Sequence, residues 1–327
     1  MKRRGFLLSA AVAVTGLAAA SPARAVSPAA GDAAPNLVAD QEAADRDFVR
    51  WLSVHDPRAL VRSPARSALL HSSGAAAITA FLTSGYKSAA ERAATTRVRQ
   101  LDYANRMAAT HAAQFYPWVN AAARRAAAGS DAELAEFSST GYAAALAKDN
   151  AKVPYDDGAA RVTQDDRDFA AQLAVLDLGP AVQQRALEVT TDAEVAEFLR
   201  YGLSSAAQID SDDFRALYVA EEWALWPEAK SLTGRAVTAG DPAAALLAWH
   251  DVAELAARPA QRWTERQQFA QRRVNDWSAI AGSGRPLLGG AAAVRTQWAA
   301  EVTNAAGQTA WWNDLLQYAA AASELRP

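Results

Sequence analysis

Three times in this chain a phenylalanine is followed four positions later by a glycine, and each time the pair closes a short amphipathic stretch. The copies read Phe81-Leu82-Thr83-Ser84-Gly85-Tyr86, Phe137-Ser138-Ser139-Thr140-Gly141-Tyr142 and Phe198-Leu199-Arg200-Tyr201-Gly202-Leu203. The phenylalanines stand 56 and 61 residues apart. Ile78, Leu134 and Val195 each precede the Phe by three, which sets both residues on one helix face. Asp131 and Asp192 are expected to cap two of these helices, and each Gly stands where a helix would end in a left-handed turn. A degenerate fourth copy runs from Asp241-Pro242 to Leu247. A chain that repeats itself at this period builds similar units that cannot bury their apolar faces alone and must be stacked. The recurring Phe is expected to fill the groove between successive units.

The segments between the copies are helical in character. Alanine supplies 84 of 327 residues, Leu, Arg, Glu and Gln much of the rest, and no stretch alternates with period two for long. Upstream of the copies lie Asp47-Phe48-Val49, Asp168-Phe169-Ala170 and Asp213-Phe214, each with a Leu further on (Leu52, Leu173, Leu217). Pro64, Pro117, Pro180 and Pro227 then precede the short helices and read as first-turn residues. The fold class expected is therefore all-α: irregular helical repeats stacked as a short solenoid over residues 45–250, with units near 45–90, 97–145, 165–206 and 212–250. A helical, Trp-rich C-terminal segment, 251–327, is expected to cap the end.

The N-terminus has the layout of an export signal. Lys2, Arg3 and Arg4 precede an apolar run from Phe6 to Ala20, and Ala23-Arg24-Ala25 supplies the small residues that a signal peptidase requires. Arg3-Arg4-Gly5-Phe6-Leu7 resembles a twin-arginine signal, so the chain is expected to be cut after Ala25 and secreted. Residues 26–44 read as a flexible leader. Removing the first 25 residues leaves 29 basic against 36 acidic side chains, a net charge of −7. That balance argues against nucleic-acid binding, which depends on Lys and Arg neutralising phosphates. No later stretch is apolar enough to span a membrane. With no cysteine there is no disulfide, thiolate nucleophile or Cys-ligated metal.

The Phe81, Phe137 and Phe198 positions, their partners Gly85, Gly141 and Gly202, and the Ala68-Leu69 and Ala186-Leu187 pairs ahead of them resemble the ALF repeat family of secreted actinobacterial proteins. The resemblance covers roughly residues 45–250. Relatives with this repeat include scaffold subunits of secreted antibacterial toxin particles, which implies a protein-binding role in interbacterial competition. The chain lacks the long coiled-coil stalk and the toxin domain of those large subunits.

Eight of ten tryptophans fall between Trp223 and Trp312. Most are expected in the core, filling gaps in an Ala-rich framework, with one ring of the adjacent pair Trp311 and Trp312 reaching the surface. Arg258, Arg262, Arg266 and Arg273 share a helix face, with Pro259 expected at that helix's start. A solvated face with Arg stems covering aromatic neighbours is one reading, and a docking stripe is the other. The candidate partner-binding residues are Trp311, Trp312, Arg262 and Arg266.

Catalytic signatures are sparse. His55, His71, His111 and His250 are far apart and share no metal-ligand spacing. Two acidic clusters, Asp149 to Asp168 and Asp210 to Asp213, have oxygen ligands that would suit calcium but no EF-hand spacing. Glu221-Glu222 beside Trp223 imitates a glycosidase site, yet neighbours on a helix point apart. No cofactor or metal is called for. The first reading is a secreted, non-enzymatic binding or scaffold protein for a partner protein. The alternatives are an extracellular hydrolase or glycan-active enzyme and a cell-wall-polymer-binding module.

Overall fold

The computed structural model describes residues 36–324, so the export-signal reading of residues 1–25 lies outside the described residues. Among the described residues the chain forms fourteen α-helices and no strand, an all-α protein. The leader ends earlier than the sequence suggests. Asn36–Ala39 (α1) is already helical, and Leu37 is fully buried against the first unit's core.

Each Phe–Gly copy does not end a helix; it widens one. α4 (Ala75–Ala80) runs through a π turn, Phe81–Gly85, into α5 (Tyr86–Thr110). The same happens from α7 (Asp131–Glu136) through Phe137–Gly141 into α8 (Tyr142–Asn150). It happens again from α11 (Asp192–Glu197) through Phe198–Gly202 into α12 (Leu203–Thr238). In every copy the residue after the Gly donates its N–H five residues back, to the carbonyl of the Phe. The left-handed cap expected at these glycines is therefore wrong: Gly85, Gly141 and Gly202 have φ of −61°, −63° and −61°. Their role is steric. A Cβ at Gly85 or Gly202 would lie 3.2 Å from the ring of its own Phe, and one at Gly141 would lie 3.0 Å from a Glu136 carboxylate oxygen.

Around each widened helix two others close a unit. The first unit adds α2 (Gln41–His55) and α3 (Ala59–Leu70). The second shares α5 and adds α6 (Pro117–Ala127). The third adds α9 (Gln164–Leu173) and α10 (Pro180–Leu187). Pro117 and Pro180 occupy first turns as expected, whereas Pro64, Pro227 and Pro259 lie inside longer helices. The N-caps sit one residue before the expected aspartates. Ser130 and Thr191 each accept from the third backbone N–H, and Glu133 and Glu194 complete two capping boxes.

A second repeat signature emerges twelve residues after the Phe. Asp149 accepts from the N–H groups of Trp118 and Val119 at 3.0 and 2.9 Å. Asp210 does the same for Ala181 and Val182 at 2.9 and 3.2 Å. Each carboxylate thus satisfies the orphan donors that follow a helix-starting proline. Asp210 is buried, and Gly179 (φ +136°) lets the backbone pass it; a Cβ there would fall 2.2 Å from Asp210 Oδ2. Asp210→Ala is expected to cost about 2–3 kcal/mol, because two buried N–H groups lose a charged acceptor. Gly179→Ala should destabilise as well, through the clash and the positive φ. Urea denaturation checks both, and an Asp210→Ala midpoint equal to that of the unsubstituted chain would contradict this role.

The C-terminal helices do not cap the end. α13 (Pro242–Ala281) and α14 (Ala291–Glu324) lie along one another as a hairpin. Trp249, Val252, Trp263, Trp312 and Leu315 enter the first unit's core, while Ala270, Trp277, Ile280, Val294 and Trp298 enter the third unit's. The second unit's cluster of Ala104, Ala123, Ala126, Leu134 and Phe137 takes none of these residues. The fourth copy is absent: residues 242–281 are one 40-residue helix, and Leu247 is 69% exposed. Each Phe belongs to the buried cluster of its own unit, Phe81 with residues of α2 and α3, Phe137 with residues of α5 and α6, and Phe198 with residues of α9 and α10, and Phe198 also borders the gap between the second and third units.

Candidate functional site

Where the second and third units meet, α6 faces α10 and α11 across a trough of about 720 Å³. Two bridges join the units beside it. Arg125, in the last turn of α6, forms a two-pronged ion pair with Glu197 at the end of α11, Nη2 to Oε2 being 2.7 Å. Ser205 donates to Glu133 Oε2 at 2.8 Å, so the carboxylate that completes a capping box also ties α7 to α12. The π turn matters here. It keeps Phe198 buried while presenting Tyr201 outward, and the Arg125 guanidinium lies 3.8 Å from the centre of the Tyr201 ring. Tyr155 closes one side, 3.4 Å from Arg125 Nη2, and its burial pushes the phenol's pKa up.

A second hollow of about 590 Å³ shares Glu133 and Ser205 with the first and is lined by residues of the first unit, α7, α12 and α14. Arg62 sits there, donating to the carbonyls of Asp56 and Pro57 at 2.6 Å each. Burial pulls its pKa below the usual guanidinium range. Arg97 is paired with Asp131, and Arg215 with Glu301 at 2.7 Å. Asp212 is pushed above the usual carboxylate range by its burial.

The residues singled out by sequence lie elsewhere, on α13 and α14. Trp312 is fully buried, its indole N–H 3.2 Å from Glu222 Oε2, so it offers no surface. Trp311 is half-buried, edge-on to Trp312 and packed towards Trp226. Arg262 and Arg266 converge on one oxygen of Glu221, at 2.8 and 2.7 Å. Arg266 further lies 4.6 Å from the Trp263 ring, and Arg273 is buried against Phe269, which matches the reading of Arg stems over aromatic neighbours.

The acidic clusters are dispersed among separate tasks. Asp156 and Asp157 accept from the backbone of Gly158 and Ala159, Asp166 completes a capping box, and Asp165 pairs with Arg285. Among the described residues no three His, Asp or Glu side chains stand close enough to hold a metal ion. Of the trough's five acids, Glu133 and Glu194 are committed to caps, Glu197 to Arg125 and Asp157 to the backbone of Ala159, while Glu188 only accepts from Gln184. What converges on the trough is recognition chemistry, guanidinium and phenol groups over a floor of small apolar residues. Sequence reasoning missed it because Arg125, Arg185 and Tyr201 lie on three different helices. The one available signal was Tyr201, an aromatic residue inside the third motif where the other copies carry Ser or Thr.

No family model, curated protein or solved structure matches the chain.

Proposed function

We propose that this chain is an exported adaptor of the ALF-repeat kind, a non-enzymatic protein that holds a segment of a partner protein in the trough between its second and third helical units. The observation that carries this reading is the trough itself, about 720 Å³ with walls supplied by two consecutive units and their bridges. A repeat array that leaves such a gap between modules presents a ready-made concave binding surface. Export is supported by Arg3-Arg4 ahead of the apolar run and by Ala23-Arg24-Ala25 after it. Among the described residues no helix is long and apolar enough to cross a membrane. The hydrolase alternative has less support, because four of the five carboxylates lining the trough are held by caps, backbone or Arg125, which leaves Glu188 without a second free acid.

Ala193 lines the trough and is half-buried, so Ala193→Trp should fill it without touching a core residue. The secreted chain is expected to elute from culture supernatant in a stoichiometric complex identifiable by mass spectrometry. The Ala193→Trp chain should elute alone with an unchanged melting temperature. A chain that elutes alone in both forms, or a complex that survives the substitution, would overturn the proposal.

A further inference from the structure

Inside the trough stands a half-buried cation, Arg185, that no described residue pairs with. It projects from α10, and its guanidinium makes a single long hydrogen bond, 3.4 Å to the carbonyl of Gly202. No described carboxylate forms an ion pair with it; Glu133, Glu188 and Asp210 act only from beyond pairing distance. Burial accordingly pulls its pKa below the ordinary guanidinium range. Arg125 on the opposite wall shows the contrast, with both prongs on Glu197 and its face on Tyr201. An arginine has five N–H donors in a rigid fork that fits a carboxylate edge-on, and four of those at Arg185 have no partner among the described residues. Arg124, on the rim of the same trough, is exposed and also forms no ion pair with a described residue.

From the two unpaired guanidinium groups, set in a lining that otherwise carries five carboxylates against Arg125, we propose that the trough binds an extended peptide segment of the partner protein with isolated acidic residues, one carboxylate pairing with Arg185 and a second reaching Arg124. The inference deepens the adaptor reading and rests on it. Alanines 113, 121, 128 and 193, with Val189, line the same trough and suit apolar side chains flanking the acidic residues. A continuous polyanion fits poorly, since Asp157, Glu188 and Glu194 line the same trough and would repel a polymer charged at every repeat.

A random dodecapeptide library displayed on phage, selected against the mature chain, tests this directly. Selected peptides should be enriched in Asp or Glu flanked by apolar residues. Arg185→Gln should weaken the best peptide by ~10–100-fold, the loss of one charge-assisted pair. Changing the peptide's Asp to Asn should cost the same in the unsubstituted chain and almost nothing in Arg185→Gln, with Arg185→Lys intermediate. Peptides without acidic enrichment, or an Asp-to-Asn loss that persists in Arg185→Gln, would sink the inference. So would preferential displacement of the peptide by sodium polyphosphate, which would assign the trough to a polyanion. The two readings fail separately. A supernatant complex abolished by Ala193→Trp but untouched by Arg185→Gln leaves the adaptor standing and removes the acidic peptide; a complex indifferent to both removes the adaptor.

Discussion

Phe137→Ala is expected to destabilise the chain by about 3–5 kcal/mol, near the upper end of that span for truncating a buried aromatic. The reason is the company the ring keeps. The second unit's cluster comprises Ala104, Ala123, Ala126, Leu134 and Phe137, so four of its five fully packed members are small or medium-sized. Phe137 is 2% exposed, with Tyr103 tilted against it and Tyr142 edge-on, at 5.9 and 6.3 Å between ring centres. Ala104, Ala123 and Ala126 have no side chain that could swing into the space left by a benzyl group, and Leu101, Tyr103, Met107 and Tyr142 at the cluster's edge can relax towards it only in part, so much of the cavity should persist. Because no C-terminal helix reaches this cluster, the loss should be local at first. Amide exchange should quicken over residues 97–150 before the first and third units open. Phe81→Ala and Phe198→Ala, backed by the C-terminal hairpin, should show no such regional opening. A Phe137→Ala chain that unfolds at the original urea midpoint would remove the benzyl ring from the list of what holds the unit together.

That contrast shows where the sequence was legible and where it was not. Helix content, the shared local form of the three Phe–Gly motifs and the burial of most tryptophans follow from local composition and spacing, which one chain displays without help. The glycine was misread because a Phe four residues before a Gly is equally compatible with a helix that ends and one that widens. What decides is whether the following residues continue the apolar face, and Tyr86, Tyr142 and Leu203 do. Asp149 and Asp210 looked like parts of loop clusters because their partners, the helices started by Pro117 and Pro180, lie about thirty residues upstream in the chain. Trp311 and Trp312 both stand as candidate binding residues in the sequence, although adjacent helical positions diverge. Trp311 is the outer of the two, but the buried Glu222 that claims Trp312 comes from α12 and left no mark near residue 312. The trough is invisible to spacing for the same reason: its walls are brought together only by the packing of separate units.

Glu222 supplies the second large effect. It is 4% exposed, between Trp263, whose indole N–H lies 2.6 Å away, and Trp312, with Arg266 and Glu221 the charged groups nearest to it. Burial raises its pKa to about 7, against 4.5 for an ordinary glutamate, and the two indole donors and Arg266 offset only part of that desolvation. A carboxyl whose pKa is higher folded than unfolded stabilises the fold fully below the unfolded value and loses that contribution as pH rises through the folded one. Between pH 4.5 and about 7 the chain should therefore lose about 3 kcal/mol through this group, at 1.36 kcal/mol per pH unit of difference. Asp210 and Asp212, also raised by burial, act in the same sense, whereas Glu194, held at about 2 by the hydroxyl and backbone of Thr190 and Thr191, opposes it only in more acidic solution. Glu222→Gln keeps an acceptor for the indoles and never ionises. Its urea stability should match the unsubstituted chain at pH 4.5 and exceed it by about 2–3 kcal/mol at pH 8. Parallel stability curves for the two chains from pH 4.5 to 8 would mean that Glu222 is charged in the core throughout, and that the Trp263 and Trp312 indoles hold it as an anion.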